Sequence, residues 1–170
     1  GEIVGFKLGW PTFDNLSAGL SGGDIVSIVG RPAMGKTFLT LRCGLHVWEQ
    51  MQQDVLVLSM EMPKLQIMQR LMAIFSEVSV GHLQQATLTT YHKNKIGTAF
   101  SEAKGIKSNL WVVDGNLATT VPELESLVKH YRPKFVCVDG AYLLAHEDKR
   151  LNKYQRVEVN VELLKKMAQR

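Results

Sequence analysis

The segment Gly30-Arg31-Pro32-Ala33-Met34-Gly35-Lys36-Thr37 constrains this chain more than any other. It matches the spacing GxxxxGK[ST]. Just before it, Ile25-Val26-Ser27-Ile28-Val29 is a β-branched run bounded by Gly23 and Gly30, which predicts a buried strand. Just after it, Leu39, Leu41, Leu45, Val47, Trp48 and Met51 recur at helical spacing from about Lys36 to Gln52. A strand, a glycine-rich turn and a helix start make a phosphate cradle. Glycines let the backbone wrap closely without Cβ clashes, several N–H groups converge, and the helix N-terminus adds the positive end of its dipole. Gly30, Arg31, Pro32, Ala33, Met34, Gly35, Lys36, Thr37 and Phe38 are therefore the expected nucleotide-contacting residues. Lys36 would reach the β- and γ-phosphates of ATP, and the Thr37 hydroxyl would ligate Mg²⁺.

The rest of the pattern alternates strand and helix. Val55 to Ser59 reads as a second buried strand. Pro63 sits where a first helical turn tolerates it, and Lys64 to Ser76 carries Leu65, Ile67, Met68, Leu71, Met72 and Phe75 on an amphipathic helix. The polar stretch from Gly81 to Gly105 reads as one or two short helices. Leu110 to Val113 is a third strand, ended by Asp114-Gly115, and Thr120 caps a helix running to Tyr131. Phe135 to Val138 is a fourth strand, and Asn152 to Arg170 a final helix using Val157, Val161, Leu164 and Met167. Such alternation predicts an α/β fold with a mostly parallel sheet covered by helices on both faces. With 170 residues and no repeat, low-complexity tract or linker, a single domain over 1–170 is expected.

Composition matters mainly for setting. No apolar run approaches a membrane span, and Gly1-Glu2-Ile3-Val4 has no signal-peptide pattern, so the chain reads as soluble. Cys43 and Cys137 stand alone in apolar segments, without CxxC or histidine at metal spacing. They read as buried free thiols in a reducing compartment, which favours the cytoplasm. The net charge of +4 is compatible with nucleic acid but does not by itself identify it as a partner.

Acidic residues at strand ends come next, because ligands of open parallel sheets bind at the carboxyl ends of the strands. Asp139 directly follows Phe135-Val136-Cys137-Val138, the Walker B arrangement in which the carboxylate holds Mg²⁺ through water. Glu61 follows the second strand, where a carboxylate can take a proton from an attacking water or can simply be a solvated acid near a helix start. Asp114, before Gly115, reads as a turn residue.

Taken together, these segments resemble the RecA-like ATPase domain of DnaB-type replicative DNA helicases. The match runs through Leu8-Gly9-Trp10-Pro11-Thr12-Phe13-Asp14-Asn15-Leu16 with Gly19-Leu20 and Gly23-Asp24, and through the Arg31-Pro32-Ala33-Met34 version of the loop. It continues in Leu58-Ser59-Met60-Glu61-Met62 with Arg70-Leu71, in Trp111-Val112-Val113-Asp114, and in Val136-Cys137-Val138-Asp139. The resemblance implies a RecA-like P-loop fold, with Glu61 as catalytic base, Lys36 on the transferring phosphate, and Thr37 and Asp139 on Mg²⁺. It also implies a homo-oligomeric, hexameric ring that translocates on single-stranded DNA. Two departures stand out. Tyr142 occupies the position where the family usually has Gln, a residue thought to sense nucleotide or DNA, as in a divergent or phage-type member. The family's further strand, which inserts between the loop strand and the Walker B strand, and its later arginine finger have no counterpart up to Arg170. The resemblance thus implies a C-terminally incomplete domain, with an unfilled slot beside the loop strand and weak turnover by this chain alone. Other RecA-like ATPases (a recombinase, a recombination mediator, a clock-type regulator) or an inactive nucleotide-binding fragment stay open as alternatives.

In the resembled family, loops after the Walker B strand face the channel of the ring. Here that loop reads Ala145-His146-Glu147-Asp148-Lys149-Arg150-Leu151-Asn152-Lys153-Tyr154-Gln155-Arg156. Lys149, Arg150, Lys153 and Arg156 can neutralise phosphates and Tyr154 can stack on a base, while Glu147 and Asp148 balance part of the charge.

Overall fold

Three five-residue runs, each rich in valine and leucine or phenylalanine, form the middle of the molecule: β1 (Val55–Ser59), β2 (Leu110–Asp114) and β3 (Phe135–Asp139). The computed structural model describes residues 5–170. Gly1 to Val4, read above for a signal peptide, lie outside the described residues. Both neighbours of β1 are parallel to it, in the order β2-β1-β3. In β1 every residue is buried, as expected of a central parallel strand with both faces covered. The register aligns Ser59 with Asp114 on one side and with Asp139 on the other, so the polar ends of all three strands share one edge.

Helices cover both faces. On one, α2 (Lys36–Glu49), α3 (Lys64–Ser76) and α5 (Thr90–Gly105) enclose Leu41, Leu45, Val47, Trp48, Ile67 and Leu71 against the sheet. On the other, α6 (Val121–Tyr131) and α7 (Lys153–Ala168) pack Leu124, Leu164 and Met167 around Leu56, Leu58 and Val113. Gly44 brings α2 unusually close to β3, since a Cβ there would stand 2.9 Å from Cys137 Sγ.

The expected elements from Val55 to Ser76 and from Leu110 to the C-terminal helix are present, and caps fix their starts. Thr120 accepts from the Glu123 N–H, while the Glu123 carboxylate accepts from the Thr120 N–H. Asn152 accepts from the N–H groups of Tyr154 and Gln155. The polar middle holds one short helix, α4 (Val80–Gln84), and the longer α5, whose 16 residues exceed the short helix predicted. Its capping box pairs Thr89 with His92, a partner outside the usual Glu or Gln. An unpredicted helix, α1 (Pro11–Ser17), starts at a proline. The buried Asp14 carboxylate organises its entry by accepting the N–H groups of Leu8, Gly9 and Trp10.

One expectation is corrected. Ile25 to Val29 is not a buried strand: it runs unpaired from Gly23 to the glycine-rich loop. Ile25 and Val26 are 39% and 40% exposed, and Val29 is 91% exposed. The reason is physical. An extended segment becomes a strand only by exchanging backbone hydrogen bonds with a neighbour, and no described backbone pairs with this one. Among the described residues β3 pairs with β1 alone, and its other edge carries no strand.

Candidate functional site

The site forms where the strand ends meet the start of α2. Gly35 caps α2 in the left-handed region (φ 84°), and Ala33 is also left-handed (φ 62°). These turns curl Arg31 to Gly35 into an exposed loop. Among the described residues no side chain caps α2, so its first N–H groups are left without a partner at the loop. The Lys36 ammonium lies across the loop, donating to the carbonyls of Gly30 at 3.0 Å and Arg31 at 2.9 Å. Phe38 is half-exposed on the same first turn.

Thr37 and Asp139, 102 residues apart in sequence, meet here. The Thr37 hydroxyl donates to Asp139 Oδ1 at 2.9 Å. Asp139 is 6% exposed, and its Oδ2 is buried without a hydrogen-bond partner among the described residues. Burial raises the Asp139 carboxyl above its ordinary pKa. The Thr37 hydrogen bond opposes that, the Glu61 charge reinforces it, and the charges of Arg70 and Lys36 oppose it. A buried carboxylate oxygen that nothing satisfies, beside a hydroxyl, is an incomplete set of hard oxygen donors. It fits Mg²⁺, which takes few protein ligands and completes its shell with water and phosphate oxygens.

Glu61 extends from the loop after β1 and is exposed. Ser59 Oγ accepts the Met62 N–H at 3.1 Å, and the Met60 N–H donates to the Asp139 carbonyl at 2.9 Å, so this loop is pinned to the end of β3. Gly140, left-handed at φ 78°, gives Glu61 its room: a Cβ there would stand 2.8 Å from Glu61 Cγ and 3.3 Å from Met60 Cβ. Tyr142, on the 3-10 turn Ala141–Leu143, donates its phenolic O–H to Glu61 Oε1 at 2.7 Å. This contact raises the Tyr142 phenol above its ordinary pKa, because the proton is held against a carboxylate.

Lys36, Thr37, Glu61 and Asp139 are thus gathered at one edge, as the sequence predicts. Gly140 and Tyr142 join them, and the charge of Arg70 acts on Asp139. The sequence flags Tyr142 only as a departure and Arg70 only as part of a motif. Asp114 is the turn residue expected, its Oδ1 accepting the Asn116 N–H at 3.2 Å.

The four basic candidates differ among themselves. Arg150 is engaged by Asp148, with Nε and Nη2 each donating at 2.9 Å. That pair neutralises its charge locally, so its offer to a phosphate is weaker than the sequence implies. Arg156 is partly buried. Lys149 and Lys153 are exposed and form no salt bridge among the described residues, and Tyr154 is 86% exposed. Lys149 and Arg150 lie on the loop read from the sequence, whereas Lys153, Tyr154 and Arg156 belong to the first turn of α7; the loop starts from a fixed base, where Asn160 Nδ2 on α7 donates to the Leu144 carbonyl at 2.8 Å.

Comparison with known proteins agrees with this geometry. The family model for the DnaB-like helicase C-terminal domain matches residues 5–170. The replicative DNA helicase DnaB of Pasteurella multocida is 32% identical over 125 residues, covering 73% of this chain and 26% of that protein. The replicative DNA helicase DnaB of Treponema pallidum is 29% identical over 137 residues, covering 81% of this chain and 30% of that protein. The chain therefore spans less than a third of either relative. Among solved structures, a DnaB-like replicative helicase superposes with a TM-score of 0.85 at 22% identity, over 99% of this chain and 41% of that one. The shared fold is RecA-like.

Proposed function

The chain belongs to the family of DnaB-like helicase C-terminal domains, and from that premise we propose that it is the ATP-binding and hydrolysing motor domain of a replicative DNA helicase, acting on single-stranded DNA as part of a hexameric ring. The observation that carries the reading is the meeting of Thr37 with Asp139, whose second carboxylate oxygen is buried and unsatisfied. A phosphate loop and a strand-end carboxylate brought into contact across the fold are the two halves of a Mg²⁺-nucleotide site.

Each residue then has a task. The N–H groups at the start of α2 and the loop from Gly30 to Phe38 bind the triphosphate, and the Lys36 ammonium exchanges the loop carbonyls for phosphate oxygens. Thr37 and Asp139 hold Mg²⁺, which when bound neutralises charge on the phosphates. Glu61 accepts a proton from the water that attacks the γ-phosphorus, as the bond to the ADP oxygen breaks in line. The exposed Lys149 and Lys153, with Arg150 and Arg156 in supporting places, line the face offered to the DNA backbone. The whole chain acts as one domain in the cytoplasm; no helix among the described residues is long and apolar enough to cross a membrane. In such rings a neighbour's arginine completes hydrolysis, so a single subunit turns over slowly.

Phosphate release by the intact chain, compared with Lys36→Ala, tests the enzyme reading. Loss of at least about tenfold is expected for removal of a group that stabilises charge on the transferring phosphoryl. Equal release by both proteins would leave a nucleotide-binding module only. Strand displacement on a tailed fork by the assembled protein separates a helicase from a RecA-like recombinase or regulator, which would not unwind it.

A further inference from the structure

We propose that Tyr142 is a positioning residue for Glu61, holding the carboxylate in the orientation that accepts a proton from water. The inference rests on the reading of Glu61 as catalytic base and deepens it. An exposed glutamate has three rotatable side-chain bonds, and nothing about its place in the loop fixes where its carboxylate points. Among the described residues the Tyr142 phenol, at 2.7 Å, makes the one side-chain hydrogen bond to Glu61. It engages Oε1 and leaves Oε2 free to accept from a water. A carboxylate anchored through one oxygen keeps the second in a defined direction, which general-base catalysis needs.

The anchor is itself held. Tyr142 lies on a 3-10 turn that opens at Gly140, the residue whose missing side chain makes room for Glu61. The Lys153 ammonium, on the first turn of α7, lies over the ring, 5.9 Å from its centroid. Glu61, the turn after β3 and the basic start of α7 therefore meet at one phenol. The sequence shows only that a tyrosine stands there. The hydrogen bond across 81 residues gives it a task.

The test is steady-state ATP hydrolysis by the assembled protein bearing Tyr142→Phe, with Glu61→Gln measured beside it. Tyr142→Phe keeps the ring and removes the donor. The expected result is a fall in kcat of about tenfold, with KM for ATP and the thermal midpoint unchanged. A structural role would instead lower the midpoint or move KM. Unchanged kcat in Tyr142→Phe while Glu61→Gln is inactive would overturn the positioning role and leave the base in place. Full activity in Glu61→Gln would overturn the reading of Glu61 itself. A kcat loss matched by a lowered midpoint or a raised KM would also overturn the proposal.

Discussion

At the scale of single residues, the two cysteines show how far burial can be read from a chain. Both sit in apolar runs, and both are free and buried. The sequence does not say what Cys137 touches. Its thiol lies under Gly44 of α2, where a Cβ would come within 2.9 Å, so it fills the seam between helix and strand. Burial pushes its pKa from 9.0 up to about 12. A raised thiol pKa keeps the group neutral in the folded protein while the unfolded chain ionises. This contribution to stability is therefore complete below pH 9 and declines as pH rises from there toward 12. At pH 8 iodoacetamide should leave both cysteines unmodified in the native protein and modify both in urea; rapid alkylation of the native protein would contradict the burial described. The pair of Glu61 and Tyr142 was beyond reach of the sequence for a different reason. No spacing rule links a strand-end loop to a turn 81 positions later, and the partner departs from the residue its motif usually carries.

Elements were legible where local signals agree. β1 and α3 have the bounds their apolar spacing gives, and α6 starts at the threonine its capping pattern marks. Signals failed where the capping box had a less usual partner, as Thr89 of α5 has in His92, and where a buried aspartate folded a short lead-in into α1. The largest miss is Ile25 to Val29. Its composition is that of a strand, yet strand identity belongs to a pair of segments, and β3 does not reach it. Its two ends are fixed all the same: Lys165 Nζ donates to the Gly23 carbonyl at 2.6 Å, and the Thr37 bond to Asp139 ties down the far side of the loop. Hydrogen exchange followed by mass spectrometry should show the amides of Ile25 to Val29 exchanging orders of magnitude faster than those of β1. Equal protection of the two would mean that a backbone partner holds this segment in solution.

For the whole molecule, the parallel sheet is what turns separate motifs into one site. Asp139 ends β3 and Glu61 follows β1, neighbouring strands that end in register, and α2 lies against β3 so that its first turn opens beside them. The general plan of that site was legible in the sequence, because a phosphate loop and a strand-end aspartate each carry a recognisable pattern. The gathering of Gly140 and Tyr142 around it was not, since it depends on how β1 and β3 pair. The central claim is that Gly30 to Thr37 and Asp139 make one Mg²⁺-nucleotide site. Calorimetric titration of ATP into the chain, with Mg²⁺ or with EDTA, measures this directly. The account predicts saturable binding to one site, weakened at least about tenfold by EDTA and by Thr37→Val, and abolished by Lys36→Ala. Binding that is indifferent to Mg²⁺ and to Lys36→Ala, or no binding at all, would contradict it.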